Sequence, residues 1–184
     1  MARTESKMIE LGTKAPDFTL YSPIKKEEVS LDSIKSKKAN LIVFISVHCP
    51  FVKHLNKSFS DFSNEYISKG VSVIAINSND IKKYPEDSPE NMIKQSKEFN
   101  FQFPYLFDET QKVARKYDAQ CTPDFFLYDC DMKLRYRGQY DDSRPGNDIP
   151  ITGYDLRNAV DSLLNNELPK LEQKPSVGCN IKWK

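Results

Sequence analysis

Residues 40–55 read NLIVFISVHCPFVKHL, and the rest of the chain can be arranged around them. The run 40–46 is apolar throughout 41–45 and rich in β-branched residues, which predicts a strand covered on both faces. Cys49-Pro50 follows at once. Proline is tolerated at the first position of a helix, where its missing N–H would be unpaired anyway. Beyond it Phe51, Leu55, Phe59, Phe62 and Tyr66 recur at steps of four, four, three and four, one face of a helix over 50–69. Gly70 is a natural stop for that helix. Residues 71–76 (VSVIAI) predict a second buried strand. Strand, helix and strand make a βαβ unit with a right-handed crossover, and an α/β fold.

Upstream, residues 1–16 read as a lead-in. Short strands are expected at 17–20 and 29–31, and a helical turn at 32–36. Downstream, 77–89 is a polar loop carrying two prolines, long enough to be functional or simply mobile. A helix over 88–99, a short strand at 105–107 and a short helix at 113–117 follow. Residues 125–129 (FFLYD) and 134–138 predict a hairpin, with Cys130 at its turn. Leu156, Val160, Leu163 and Leu164 mark a last helix. These elements form one domain over 1–168. Residues 169–184 read as a C-terminal tail carrying Cys179.

The 184 residues hold 27 Lys+Arg against 26 Asp+Glu, a formal net charge of +1. That balance gives no global electrostatic reason to expect nucleic acid or an anionic membrane as partner. The opening MARTESKMIELGTKAPDF has no apolar signal core, and the longest apolar stretch, 41–45, is far too short to cross a bilayer. A cytoplasmic location is expected, where thiols are kept reduced. The four cysteines, Cys49, Cys121, Cys130 and Cys179, are not spaced as a disulfide framework or as zinc pairs. They are therefore expected to do redox chemistry or to pack as small hydrophobes. No metal ion or organic cofactor is expected, because Cys49, Cys121, His48 and His54 lack the close spacing of ligand pairs. The acidic stretch 140–144 reads as a solvated turn, with Arg144 a candidate for lining a cleft.

Cys49 is where the chemistry is expected. The first turn of a helix offers unpaired N–H groups and a positive dipole end, both of which favour a thiolate. His48, Lys53 and His54 crowd the same turn, and each could add positive charge. Thr122-Pro123 is the second point of interest. It precedes the FFLYD strand, and a proline there shapes a turn that a cis peptide would fit.

Taken together, the strand NLIVFIS, Cys49 at a helix start, Thr122-Pro123, the hairpin and the last helix resemble the thioredoxin fold: a central mixed sheet flanked by helices. GTKAPDFTL and FFLYD resemble its peroxiredoxin-like branch, the alkyl hydroperoxide reductase/thiol-specific antioxidant (AhpC/TSA) redoxins. HCPFVKH, CTPDFFLYD and GCNIKWK strengthen the resemblance, which runs from about Gly12 to the end.

The resemblance implies thiol chemistry at Cys49, and the departures from it shape the expectation. The resolving cysteine of a thioredoxin falls on Val52, and the upstream alternative on Ser46. Ser46 matches the Thr or Ser that peroxiredoxins place three residues before their reactive cysteine, while their earlier proline is Ile42. The place of the peroxiredoxin arginine is taken by Pro123. Cys121, two residues before that proline, could resolve an oxidised Cys49 or could be a buried loop cysteine. Cys179, followed four residues later by Trp183, resembles the resolving segment of two-cysteine peroxiredoxins. Cys130 lies on the wrong side.

The expected function is a thiol-disulfide oxidoreductase, or peroxiredoxin-like antioxidant, that uses Cys49 to reduce disulfides or, weakly, peroxides. Thioredoxin, glutaredoxin or glutathione would be the reductant, and the protein a monomer or homodimer. The alternative is a non-enzymatic peptide- or protein-binding module that has lost its CxxC.

Overall fold

Residues 39–44 form the strand at the centre of the structure, and their two faces found the two halves of the core. All six are buried. Leu41 and Val43 point into one half, Ile42 and Phe44 into the other. A strand apolar on both sides is stable only if both are covered, and the chain supplies a layer on each.

The computed structural model describes residues 3–184. In chain order its elements are β1 (Arg3–Glu5), β2 (Thr19–Ser22), β3 (Glu27–Ser30), α1 (Leu31–Ile34), β4 (Ala39–Phe44), α2 (Pro50–Ser68), β5 (Ser72–Asn77), α3 (Pro89–Glu98), β6 (Tyr105–Phe107), α4 (Lys112–Lys116), β7 (Cys121–Thr122), β8 (Asp124–Asp129), β9 (Leu134–Gly138), α5 (Tyr154–Leu164) and β10 (Val177–Asn180). The main sheet has the order β3-β2-β6-β5-β4-β8-β9. β4 pairs parallel with β5 and antiparallel with β8, so the sheet is mixed. This is the thioredoxin-like arrangement expected from the sequence. Among the described residues no helix is long and apolar enough to cross a membrane.

The helix predicted after Cys49 forms as α2. Its buried face carries Val52, Leu55, Phe59, Phe62 and Tyr66. Phe59 and Phe62 both meet Tyr140 edge-on, with ring centroids 6.1 and 5.7 Å away. Such pairs contribute about 0.5–1.5 kcal/mol each beyond burial. The helix ends where Gly70, at φ +90°, lets the Gly70 N–H reach the Ile67 carbonyl (2.9 Å) and the Val71 N–H reach the Tyr66 carbonyl (3.0 Å). This pattern satisfies carbonyls that the helix itself leaves open. α5 packs on the same side through Leu156 and Val160. The opposite half gathers Phe18, Leu31, Val113, Tyr117 and Phe126.

Three segments differ from the sequence expectation. The lead-in contains β1, and the tail contains β10. Together with β7 they make a second sheet of order β1-β10-β7. Each edge is too short to be read from its own pattern, and both are made by pairing across the whole chain: Arg3 lies opposite Cys179, and Cys179 opposite Thr122. The supposed solvated turn at 140–144 is largely buried. The Asp141 carboxylate accepts the N–H groups of Ser143, Thr152 and Gly153 at 2.9, 2.7 and 2.6 Å, which removes its need for water.

Asp124 and Arg137 are both fully buried and form an ion pair across β8 and β9. The guanidinium also donates to the Phe125 carbonyl at 3.2 Å and lies over the Phe126 ring. Removing the carboxylate alone leaves a buried cation without its counter-charge. Asp124→Ala is expected to lower the unfolding free energy by about 3–5 kcal/mol, measured by urea denaturation. A loss below about 1 kcal/mol would contradict the assignment of Arg137 as dependent on this partner.

Candidate active site

Cys49 caps the N-terminus of α2 and is completely buried. Its thiol environment is built from three separate places in the chain. β4 leads into the turn Ser46–His48, where the Ser46 hydroxyl accepts the Cys49 N–H at 3.3 Å. The residues just before β8 bring Thr122 alongside: its carbonyl oxygen lies 3.1 Å from Cys49 Sγ and its hydroxyl 3.4 Å from that of Ser46. The Thr122–Pro123 bond is cis. β10 brings Cys179, whose Sγ lies 2.8 Å from Cys49 Sγ. Both cysteines are free thiols, and Cys179 is only 3% exposed.

Gly178 permits this meeting. A Cβ at that position would overlap the Thr122 carbonyl group and crowd the Pro123 nitrogen. Only a residue without a side chain lets β10 cross so close. Ser176 adds a second fastening, its hydroxyl donating to the Pro123 carbonyl at 2.7 Å.

The two thiols titrate as a pair. Burial acts to raise the Cys49 pKa, but hydrogen bonds from the Cys179 thiol, from Thr122 and from the backbone N–H groups of Val52 and Cys179 outweigh it and lower it to about 6. Cys179 is driven the other way, well above the ordinary thiol range. Its hydrogen bond to Cys49 comes first, then burial, then the charge on Cys49. One proton is thus held between two sulfurs, and Cys49 carries the negative charge.

The structure brings some of the expected site residues together and leaves others apart. Ser46, Cys49, Thr122, Pro123 and Cys179 come together. Cys121 does not join them. It is buried, its Sγ lies 3.6 Å from the Pro123 carbonyl, and burial followed by the charge of Asp124 pushes its thiol well up. Lys53 is exposed on a groove it shares with Asn56, Lys94 and Gln95, so it adds no charge at the sulfur. It lies one turn into α2, beyond the capping residue. Arg144 is occupied with the Asp141 and Ser143 carbonyls and the side chain of Gln139, and His54 with the Ser143 hydroxyl. Cys130 is exposed.

His48 has a partner that the sequence did not signal. Its Nδ1 lies 2.6 Å from the carboxylate of Asp87, which is fully buried. The same carboxylate accepts the Val47 N–H at 2.6 Å and the Asn79 side-chain amide at 2.7 Å. Burial tends to raise the Asp87 pKa, but the hydrogen bonds from His48 and Asn79 lower it below the usual range. The His48 ring stacks on Tyr84 at 5.4 Å. The polar loop 77–89 therefore pins the turn that presents Cys49. Its richness in Asn and Asp was the only available hint.

A mixed sheet with a buried thiol pair at its central strand end defines a thioredoxin-like redoxin of the peroxiredoxin-like kind. A model of the AhpC/TSA family matches residues 11–137, and the chain belongs to that family, whose role is thiol redox chemistry. A solved structure of an uncharacterized conserved protein from Geobacillus kaustophilus is 54% identical, covers 100% of this chain and 97% of its own, and superposes with a TM-score of 0.98. A hypothetical protein from Sinorhizobium meliloti 1021 is 45% identical over 98% of both chains, with a TM-score of 0.96. Peroxidoxin BcpB from Mycobacterium tuberculosis shares the fold at 18% identity, covering 70% of this chain and 84% of its own, with a TM-score of 0.57. A search among the curated proteins finds no match.

Two outcomes follow from this geometry. Gly178→Ala is expected to push β10 away from Thr122. Disulfide formation between Cys49 and Cys179, followed by mass spectrometry, should slow at least tenfold, while alkylation of Cys49 accelerates. An unchanged rate of pairing would show that the close crossing is not what aligns the sulfurs. The second outcome concerns pH. Cys49 titrates at about 6 in the folded protein and near the free value of about 8.5 when unfolded. Between these the unfolded chain binds more protons, so the reduced protein gains stability as pH rises. That contribution is fully present above the unfolded value and is lost as pH falls through the folded one. Cys179 reverses the trend above about pH 8.5, because it keeps its proton only when folded. Urea denaturation across this range should show the rise in the parent and not in Cys49→Ala.

Proposed function

We propose that the protein is a two-cysteine thiol oxidoreductase in which Cys49 attacks and Cys179 of the same chain resolves. The observation that carries this is the 2.8 Å approach of the two sulfurs. Cys49 is the better nucleophile because it is ionised at neutral pH, and the attacking species is the thiolate. Its acid-shifted thiol favours a reactive group over the inert one that a purely binding module would keep.

With a disulfide substrate, the Cys49 thiolate bonds to one substrate sulfur and expels the other as a thiolate. Cys179 gives up its proton and attacks Cys49 Sγ, releasing the second substrate thiolate and leaving a Cys49–Cys179 disulfide. With a peroxide, Cys49 takes one oxygen as a sulfenic acid, and the remaining alcohol or water leaves with a proton. Cys179 then displaces water from that sulfenic acid and forms the same disulfide. Two thiols of thioredoxin, glutaredoxin or glutathione would return both cysteines to the reduced state and themselves become oxidised. These reductants fit a cytoplasmic setting, and a sulfur pair within one chain suits a monomer as well as a homodimer.

Disulfide exchange is the favoured reaction of the two. Peroxide cleavage needs a fixed donor at the departing oxygen, and losing one such donor typically costs on the order of 100-fold. Pro123 stands where the arginine of a peroxiredoxin is expected. Arg137 is committed to Asp124, and Arg144 to Gln139 and two carbonyls.

The test is to treat the reduced protein with one equivalent of peroxide or oxidised glutathione and map the cysteines by mass spectrometry. The expected product is a Cys49–Cys179 disulfide, with Cys121 and Cys130 still reduced. In Cys179→Ser, turnover with a protein reductant should stop after one equivalent while the first oxidation of Cys49 survives. Full turnover by that variant would remove the resolving role. Peroxide rates like those of a peroxiredoxin in the parent would remove the preference for disulfides.

A further inference from the structure

The outer edge of the small sheet is open, and its sequence is complementary to itself. β1 pairs with β10 in antiparallel register, with Arg3 opposite Cys179, Thr4 opposite Gly178 and Glu5 opposite Val177. The same register continues one step further, where the Ser6 N–H donates to the Ser176 carbonyl at 2.8 Å. Hydrogen-bonded and non-hydrogen-bonded pairs alternate along an antiparallel ladder. Ser6 and Ser176 are a bonded pair, so Thr4 and Gly178 are the next one. The N–H and C=O groups of Arg3 and Glu5 therefore point away from β10. β1 is the end strand of its sheet, and among the described residues no main-chain group bonds to that outward row. Arg3 and Glu5 are both exposed, and among the described residues neither forms an ion pair.

An open row of N–H and C=O groups is a template for another strand. The two outer edges of the main sheet are treated differently. Residues 173 and 174 cover β9: the Lys174 carbonyl accepts the Gln139 N–H at 2.9 Å, and the Gln173 side chain bonds the Arg137 N–H and the Arg135 carbonyl. β3 carries Glu27 and Glu28 with no cation in the strand, so two copies laid edge to edge there bring like charges together. β1, with the order Arg-Thr-Glu, carries both signs.

We propose that β1 is a self-association surface whose partner is β1 of a second copy of this chain. A twofold axis through Thr4 sets Arg3 opposite the partner's Glu5, and Glu5 opposite the partner's Arg3. These are the residues whose main-chain groups face outward, so each of the two pairs exchanges both of its N–H···O bonds. Side chains directly opposite each other then carry opposite charges. The register is selective. A slip of one residue sets inward-facing groups against outward-facing ones. A slip of two sets Arg3 against Arg3 or Glu5 against Glu5. A twofold contact needs one patch that fits itself, and this tripeptide does. The two small sheets become one continuous sheet, and β10, which carries Cys179, lies in its interior. The contact is short against a standard interface, so the dimer is a weak one that forms at high protein concentration. It does not depend on the two-cysteine cycle proposed above.

The experiment is sedimentation of the reduced, untagged, full-length protein from about 10 μM to about 1 mM. The parent should shift from monomer toward dimer across that range, and added salt should weaken the shift by screening the ion pairs. Arg3→Glu and Glu5→Arg each put like charges opposite one another at both pairs, and each should associate roughly tenfold more weakly than the parent. The double variant Arg3→Glu/Glu5→Arg should recover the parent's association. An equimolar mixture of the two single variants should form a heterodimer, because the glutamates of one then face the arginines of the other. Amide exchange at Arg3 and Glu5 should slow with concentration, while Thr4, already bonded to Gly178, stays constant. A parent that remains monomeric throughout overturns the proposal. So does a dimer that the single variants form as well as the parent, or a mixture that gives no heterodimer, since either result puts the contact elsewhere. Should a charge variant lose its fold by circular dichroism, Glu5→Pro replaces it. Proline is tolerated on an edge strand where the N–H faces outward, and it removes a donor from the contact, so it too should weaken association roughly tenfold.

Discussion

The pairing of β10 between β1 and β7 is the constraint on which the site depends. It puts a strand from the end of the chain against Thr122, with Gly178 at the crossing. Without it Cys49 would be a thiol at an open helix start, lacking the Cys179 sulfur beside it. With it, the thiol is enclosed, gains a second sulfur as hydrogen-bond donor, and is shielded from solvent. Desolvation by itself opposes ionisation. The added donors exceed that penalty, and this is why a buried thiol is acidic here.

The enclosure is also a mechanical statement. Neither sulfur is open to solvent, because β10 lies over the Cys49 thiol. The strand's fastenings are short pairings with residues 3–5 and 121–122, together with the Ser176 hydroxyl on the Pro123 carbonyl and the Lys182 backbone on Asn79, Asp80 and Gln111. The central sheet, by contrast, is held by ladders of up to six residues and two core layers. Cys49 thus follows the central strand of the large sheet, at the start of α2, and Cys179 lies in the small one.

A polar network joins these parts from behind. Asp87 holds the turn before Cys49, Asn79 connects Asp87 to the backbone of Lys182, and Gln111 grips the same carbonyl. These groups are buried and satisfied by one another, which makes their geometry exacting. The loop 77–89 is therefore part of the site's frame.

Much of this was legible before any coordinates. The run 40–46 has a single sensible placement, because an apolar strand must be covered twice. The spacing of Phe51 to Tyr66 fixes a helix directly after Cys49, and local helix-end electrostatics point to that residue alone. The GCNIKWK segment drew attention to Cys179. What could not be read was which sulfur meets Cys49, since Cys121 and Cys179 are both remote from it in sequence and their placement depends on pairing between distant segments. Lys53 was misjudged for a different reason: nearness along the chain was taken for nearness in space, although the spacing of Leu55, Phe59 and Phe62 already puts Lys53 off the buried face of α2. Asp87, Asn79 and Lys182 carry no local pattern at all. Their roles arise only when a loop, a turn and the chain's end are packed together, because hydrogen bonds between buried groups are set by three-dimensional position and not by spacing along the backbone.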